Sequence, residues 1–94
     1  MIITFHRDFT KRFKALPQKI QVTFKERLII FEDDQFNPIL NNHSLRGKYK
    51  GYRSINVTGD IRAIYKQSLP AGVGKSNDNI ILFTTIGSHS NLYS

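Results

Sequence analysis

The stretch HSLRGKYKGYRSINVTGDIRAIYK, residues 43–66, contains the pattern that decides the fold. Apolar and polar residues alternate in two runs, 52–57 and 61–66, and Thr58, Gly59 and Asp60 separate them. Alternation with a period of two is typical of a half-buried strand. Two such runs joined by a short loop that contains glycine predict an antiparallel hairpin.

A basic segment, residues 46–53, leads into the hairpin. Tyr49 and Tyr52 separate its cationic residues, which are Arg46, Lys48, Lys50 and Arg53. Basic residues interleaved with aromatic ones suit a phosphate backbone and its bases. The formal net charge of +7 also favours a polyanionic partner, which could be nucleic acid, an acidic protein or an anionic membrane surface. Charge alone leaves open the alternative of an ordinary soluble basic domain.

The length and composition limit the classes of protein. A chain of 94 residues predicts one domain, residues 1–94, with an adequate but not large core. The absence of cysteine excludes disulfides, a thiol nucleophile and a Cys-ligated zinc site, and the three histidines lack the spacing of a metal motif. The start MIITFHRDF does not resemble a signal peptide, and no stretch resembles a membrane span. We expect a cytoplasmic protein without metal or cofactor.

The residues on either side of the hairpin predict helices and outer strands. Residues 1–5 are apolar and β-branched, which favours a strand. Two amphipathic helices follow, the second over 17–33, and their apolar residues recur at helical spacing: Phe9, Phe13 and Leu16, then Ile20, Phe24, Leu28 and Phe31. Residues 80–86 are almost continuously apolar, which predicts a central strand with both faces covered. The glycine- and proline-containing segment 67–79 is predicted to be a mobile connection.

The order of these elements, β-α-α-β-β-β, predicts an α+β fold. In this fold, an antiparallel sheet carries a two-helix hairpin on one face. On the fifth element, Ile61, Ala63 and Tyr65 should face the helices, which places Asp60 and Arg62 together on the open face. A weakly stabilising surface ion pair is the simplest interpretation of that pair.

Three further side chains are candidates for chemistry. His89 follows the last strand and could be a solvated loop residue, a helix cap or a proton donor, since imidazole titrates near neutral pH. His43 precedes the basic segment and, taken alone, suggests a surface histidine. Tyr93 could pack or could stack on a base.

Four segments in register resemble the RelE/ParE superfamily of toxins from toxin–antitoxin pairs, especially its YafQ-like branch of mRNA endoribonucleases. FHRDFTKRFKALP (5–17) is similar to the family's first strand and basic amphipathic helix. HSLRGKYKGYR (43–53) resembles H-x-L-x-G-x-[WY]-K-G-Y-R, and GDIRAIY (59–65) resembles D-x-R-x-[IV]-Y. IGSHSNLY (86–93) is similar to the closing pattern I/T-G-[TS]-H-x-x-L-[FY].

The resemblance implies ribosome-dependent mRNA cleavage by attack of the RNA's 2′-OH on the adjacent phosphate. His89 matches the family's tail histidine and would be the general acid, whereas His43 and Asp60 are alternative bases, or Asp60 orients a histidine. Arg62 would clamp the phosphate, since a guanidinium can form two hydrogen bonds to it. Tyr93 would stack on an mRNA base, with further RNA contacts from Asn56, Arg46, Lys48, Lys50 and Arg53.

Two positions depart from the family pattern, and two other functions stay open. Asn56 stands where YafQ-like members often carry a second histidine, and Thr85 stands where they often carry an arginine. The resemblance implies an acidic antitoxin, in a toxin–antitoxin hetero-oligomer, and the ribosomal A site as partners, with no membrane partner. A ParE-like inhibitor of DNA gyrase without nuclease activity is the alternative, although His43 and His89 favour the nuclease. An inactive basic binding module is the third interpretation.

Overall fold

The computed structural model describes residues 1–68 and 79–93, which form a five-stranded sheet with two main helices on one face. The strands are β1 (Ile2–Phe5), β2 (His43–Ser44), β3 (Arg53–Asn56), β4 (Ile61–Ser68) and β5 (Ile80–Ser88). The helices are α1 (Arg7–Ala15), α2 (Gln18–Asp33) and the short α3 (His89–Tyr93), with 3₁₀ turns at Pro38–Leu40 and Gly47–Tyr49. The predicted α+β class is confirmed.

Local signals explain where the two long helices begin and end. His6 caps α1, since its Nδ1 accepts a hydrogen bond from the Asp8 N–H at 3.0 Å. The chain leaves α1 at Leu16, and Pro17 directly precedes α2. A residue before proline avoids the helical region, so the break between the helices follows from the sequence.

The core lies between these helices and the sheet, and aromatic rings fill it. Phe24 contacts Phe9 and Phe83, with ring centroids 5.3 and 5.6 Å apart. Phe31 meets Tyr65 edge-on at 5.1 Å. The remaining residues of the predicted helical stripes are partly buried against this core: Phe13, Leu16, Ile20 and Leu28. The two apolar stripes predicted from the sequence are therefore confirmed as core.

The sheet has the strand order β1-β5-β4-β3-β2 and is mixed, which corrects the prediction of a wholly antiparallel sheet. β1 pairs with β5 in parallel, whereas the other three pairings are antiparallel. Hairpin patterns determine the direction of strands that are neighbours in sequence, but β1 and β5 are at opposite ends of the chain. Their relative direction follows from the path of the chain through the helices and the hairpin.

The central hairpin is confirmed, with β3 and β4 paired from Arg53 opposite Tyr65 to Asn56 opposite Arg62. β5 is central, between β1 and β4, and runs two residues further than predicted, to Ser88. Its faces are not both covered throughout: Leu82 and Thr84 are half-buried, although Thr85 is buried. The register between β4 and β5 shifts between Ile64 and Tyr65. The side chains of β5 therefore do not alternate between the two faces of the sheet in one continuous pattern.

Two parts of the chain differ from, or lie outside, the sequence-based prediction. β2 is a short edge strand in a segment predicted as a polar loop, and α3 occupies the predicted polar tail. Residues 67 and 68 extend β4, while residues 69–78 of the predicted mobile connection lie outside the described residues. Within the described ranges, no helix has both the length and the apolar character needed to span a membrane.

Candidate active site

A cleft of about 340 Å³ contains most of the predicted catalytic side chains. Its lining comes from three separated parts of the chain: Asn41, His43 and Leu45 around β2, Arg62 on β4, and His89 and Tyr93 on α3. The fold thus brings both candidate histidines and the candidate phosphate clamp into one cleft, although 46 positions in sequence separate His43 from His89.

The register of the strands explains why the cleft lies on the face away from the helices. Directly paired residues point to the same side of a sheet. His43 pairs with Ser54, and Ser54 pairs with Ile64, which is buried but lies outside the main core cluster. Arg62 pairs with Gly87 on the same side. We call this side of the sheet the cleft face.

The backbone just before β2 orients His43. Asn41 adopts a left-handed conformation, with φ 46°, which asparagine tolerates better than most residues. The Asn41 carbonyl oxygen lies 2.8 Å from Nδ1 of His43. A carbonyl can only accept a hydrogen bond, so Nδ1 carries the proton and Nε2 of the neutral ring is left as the acceptor.

His89 is held as the first residue of α3. Its backbone N–H donates to the Asp60 carbonyl at 3.0 Å, which ties the end of β5 to the β3–β4 turn. Its ring contacts that of Tyr93 one helical turn later, with centroids 4.7 Å apart. Leu92 is buried and anchors α3 above Gly87. His89 itself is exposed, so α3 presents its ring to solvent.

Arg62 is half-buried at the inner end of the cleft. Its Nη1 donates to the carbonyls of Thr58 and Gly59, at 3.0 Å each. No ion pair joins it to Asp60 in the described part of the chain, so the simplest sequence-based interpretation of this pair is wrong. The hydrogen bonds described for Arg62 all use Nη1, so no described hydrogen bond occupies its Nε and Nη2 donors.

Asp60 lies beside the cleft rather than in its lining. Its side chain is exposed in the turn before β4, and its backbone carbonyl holds His89. The structure therefore brings Asp60 close to the other candidate residues through its backbone.

The basic segment joins the cleft through a row of tyrosines. Tyr49 contacts Tyr93 at 5.8 Å and Tyr52 at 6.2 Å between ring centroids. The Lys48 ammonium lies 5.3 Å from the Tyr49 ring. The side chains of Arg46, Lys48 and Lys50 are exposed. One rim of the cleft is therefore both aromatic and cationic.

Two predicted RNA-binding residues lie elsewhere. Arg53 shares the helix-covered side of the sheet with its partner Tyr65, and its Nε donates to Asn42 at 2.7 Å. The sequence contained a signal for this position, because Arg53 has the same alternation as the core residues Ile55 and Val57. Asn56 pairs with Arg62 but lines a neighbouring cleft of about 210 Å³.

Sequence reasoning missed three residues at this site. Asn41 and Leu45 line the cleft, and the Ser54 hydroxyl is buried behind His43 without a hydrogen-bond partner in the described part of the chain. The pair Asn41-Asn42 was a signal for a special turn, since asparagine favours left-handed backbone. Within residues 1–68 and 79–93, no cluster of three His, Asp or Glu side chains is arranged to hold a metal ion.

Comparison with models of protein families identifies one family for this chain. The model of the family described as "Bacterial toxin of type II toxin-antitoxin system, YafQ" matches residues 2–94. No curated protein sequence matches the chain.

Solved structures similar to this chain have the same fold. YafQ from E. coli strain BL21(DE3) has a TM-score of 0.74 at 20% identity, over 98% of this chain and 97% of that chain. A YoeB/ParE toxin from Agrobacterium tumefaciens has a TM-score of 0.73 at 13% identity, over 95% and 99%. The E. coli DinJ-YafQ complex gives 0.64 at 22% identity, over 98% and 97%. With the family model covering nearly the whole sequence, the chain belongs to the YafQ family of bacterial type II toxin–antitoxin toxins.

Proposed function

We propose that the chain is a ribosome-dependent mRNA endoribonuclease. The observation that carries this proposal is the convergence of His43, His89 and Arg62 in one cleft with an aromatic and cationic rim. Cleavage of RNA through its own 2′-OH needs a base, an acid and a cation near the phosphate, and these side chains can supply all three.

In the proposed reaction, His43 acts as the general base through Nε2, because its Nδ1 is committed to the Asn41 carbonyl. The 2′-oxygen loses its proton to His43 and bonds to the adjacent phosphorus. The bond from phosphorus to the 5′-oxygen breaks, and protonated His89 gives its proton to that leaving oxygen. The products are a 2′,3′-cyclic phosphate end and a 5′-hydroxyl end.

Other residues position the RNA. Arg62 stabilises the negative charge of the phosphate through Nε and Nη2, since its hydrogen bonds to the turn use only Nη1. Tyr93 stacks on a base of the mRNA, and the exposed cations of the basic segment, Arg46, Lys48 and Lys50, hold the RNA backbone. The Asp60 carboxylate is exposed outside the lining of the cleft, so neither of its two predicted roles, base or orientation of a histidine, enters the proposed reaction. Its backbone carbonyl instead holds the first residue of α3.

An acidic antitoxin and the ribosomal A site are the proposed partners. The E. coli relative has been solved in a complex, DinJ-YafQ, which supports a cognate antitoxin for this chain too. The net charge of +7 favours both an acidic protein and ribosomal RNA. Neutralisation then requires the antitoxin to compete with RNA for the basic rim.

Mapping of 5′ ends on a translated reporter mRNA tests the activity. We expect new ends inside codons only when ribosomes engage the message, because the ribosome holds the strand in the cleft. Cuts in free RNA would contradict ribosome dependence. DNA breaks with intact mRNA would instead support a ParE-like gyrase inhibitor.

The variant His89→Gln tests the acid. Glutamine keeps the size and hydrogen bonding but cannot deliver a proton, so single-turnover cleavage on programmed ribosomes should fall by roughly 10²–10⁴-fold. His6→Asn is the matched control, because it removes a histidine outside the cleft while asparagine can still cap α1. A folded His89→Gln protein with the wild-type rate would refute the assignment.

A further inference from the structure

A hydrogen-bond network centred on the Tyr65 hydroxyl lies on the side of the sheet opposite the cleft face. The Tyr65 ring is fully buried against Phe31. Its hydroxyl accepts hydrogen bonds from the side-chain amides of Gln35, at 2.9 Å, and Asn42, at 2.7 Å. The amide of Gln35 also donates to Gln67 at 2.7 Å. This hydroxyl thus connects β4 to the segment that runs from α2 to β2.

Asn42 is the most constrained residue of that segment. Besides donating to Tyr65, its amide donates to the Gln35 carbonyl at 3.1 Å. Its side-chain oxygen accepts from Nε of Arg53 at 2.7 Å. The Arg53 guanidinium is held in turn by the Phe36 ring, 5.3 Å away. Both ends of the Asn42 side chain are therefore fixed, by Tyr65 on β4, by Arg53 on β3 and by Gln35 in the same segment.

Asn42 also lies, in sequence, directly between His43 and Asn41, the residue whose carbonyl contacts the His43 ring. Asn41, immediately before it, has the left-handed backbone and supplies the carbonyl that contacts Nδ1 of His43. Asparagine adopts left-handed backbone more readily than most residues, and a local contact holds it at Asn41, whose N–H donates to the Pro38 carbonyl at 3.1 Å. The fixed Asn42 side chain further restricts the residue that directly follows Asn41.

We propose that Tyr65, Asn42 and Arg53 are positioning residues that hold His43 in its Nδ1–H tautomer with Nε2 directed into the cleft. Because it gives His43 a catalytic purpose, this inference rests on the proposed function. The network acts on the catalytic side chain through the Asn41 carbonyl and touches no substrate. Arg53 thereby contributes to the reaction from the helix-covered side, in place of the RNA contact predicted from the sequence.

The test combines two variants with two measurements. Tyr65→Phe keeps the buried ring and removes only the hydroxyl, and Asn42→Ala removes three hydrogen bonds at once. Thr4→Val is the matched control, because it deletes a hydroxyl that donates to the Ile81 carbonyl at the opposite edge of the sheet. Thermal melts establish that each variant is folded.

The first measurement is the tautomer of His43, read from ¹⁵N chemical shifts of its ring in the free protein. We expect the Nδ1–H form to dominate in wild type and in Thr4→Val, and to lose population in Tyr65→Phe and more so in Asn42→Ala. The second is single-turnover cleavage. Tyr65→Phe should lower the rate by about 10- to 100-fold with little change in ribosome affinity, as expected for misplacement of a reacting group.

The outcomes separate this inference from the proposed function. An unchanged tautomer in folded Tyr65→Phe and Asn42→Ala would overturn the inference, even if their rates fell, since a general structural defect would then be responsible. A wild-type protein that cuts no mRNA would refute the proposed function, yet the tautomer measurement would still decide whether the network holds His43. A shifted tautomer together with a reduced rate would support both.

Discussion

The helix-covered face and the cleft face of the sheet differ in almost every physical property. On the helix-covered side, Tyr65 and Phe83 are fully buried among phenylalanine rings. On the cleft face, the corresponding rows hold His43, Arg62 and the buried hydroxyl of Ser54, which has no hydrogen-bond partner among the described residues. Neighbours along one strand therefore serve different purposes: one side packs against the helices, and the other carries polar side chains, of which His43 is exposed and Arg62 half-buried.

The difference also shows that charge alone does not identify an RNA contact. Arg53 and Lys48 both belong to the basic segment, yet only Lys48 lies at the rim of the cleft. Arg53 is held by Asn42 and Phe36 on the other side. Pairing with Tyr65 places Arg53 on the helix-covered side of the sheet, whereas Lys48 is exposed in the 3₁₀ turn Gly47–Tyr49.

Phe83→Ala should have the largest effect on stability, because Phe83 belongs to the core on the helix-covered side of the sheet. Truncating a fully buried phenylalanine typically costs about 3–5 kcal/mol, from lost burial and the cavity that remains. Ile29→Ala, at a side chain that is 69% exposed, should change the free energy of unfolding by only about 0.5 kcal/mol. Denaturant titrations measure both, and equal losses would contradict the assignment of the core to this face.

Lys48→Gln and Arg53→Gln should sharpen the distinction between the two cations. If Lys48 contacts a phosphate, its loss should lower the salt dependence of binding to programmed ribosomes by about one unit in a logarithmic plot. Arg53→Gln should leave that slope unchanged, because its guanidinium is committed to Asn42. Filter binding at several salt concentrations provides the slopes. A lower slope for Arg53→Gln would restore it as an RNA contact.

Ser54→Ala should have the smallest effect. The Ser54 hydroxyl is buried, and no described residue hydrogen-bonds to it. Removing an unsatisfied buried polar group is neutral or stabilising by about 1 kcal/mol. Calorimetric melting detects a change of that size. A clear loss of stability would show that the Ser54 hydroxyl forms a hydrogen bond in solution.

Much of the fold could be predicted because its signals are local. The phenylalanine spacing from Phe9 to Phe31 indicated two helices, and the alternation on either side of Gly59 indicated the hairpin. The pairing of β1 with β5 could not be predicted in this way, since no local pattern connects the two ends of the chain. The short strand β2 was missed for a different reason: a strand of two residues is too short to show an alternating pattern.

The residue types of the site were visible in the sequence, but their arrangement was not. A resemblance in four segments selected His43, Arg62 and His89, and all three line one cleft. Asp60 was selected too, yet its contribution to the site comes through a backbone carbonyl. Every residue has a backbone carbonyl, so the sequence does not indicate which one forms such a contact, and only the folded structure shows it.

The sequence by itself determined the two long helices with their apolar faces, the hairpin and the candidate catalytic side chains, because periodicity and residue chemistry are local properties. Only the tertiary structure decided that strands from both ends of the chain lie side by side and that Arg53 faces away from the cleft. It also decided that Asn41 directs Nδ1 of His43 through its carbonyl. These features depend on register and long-range contacts, which form only when the whole chain packs.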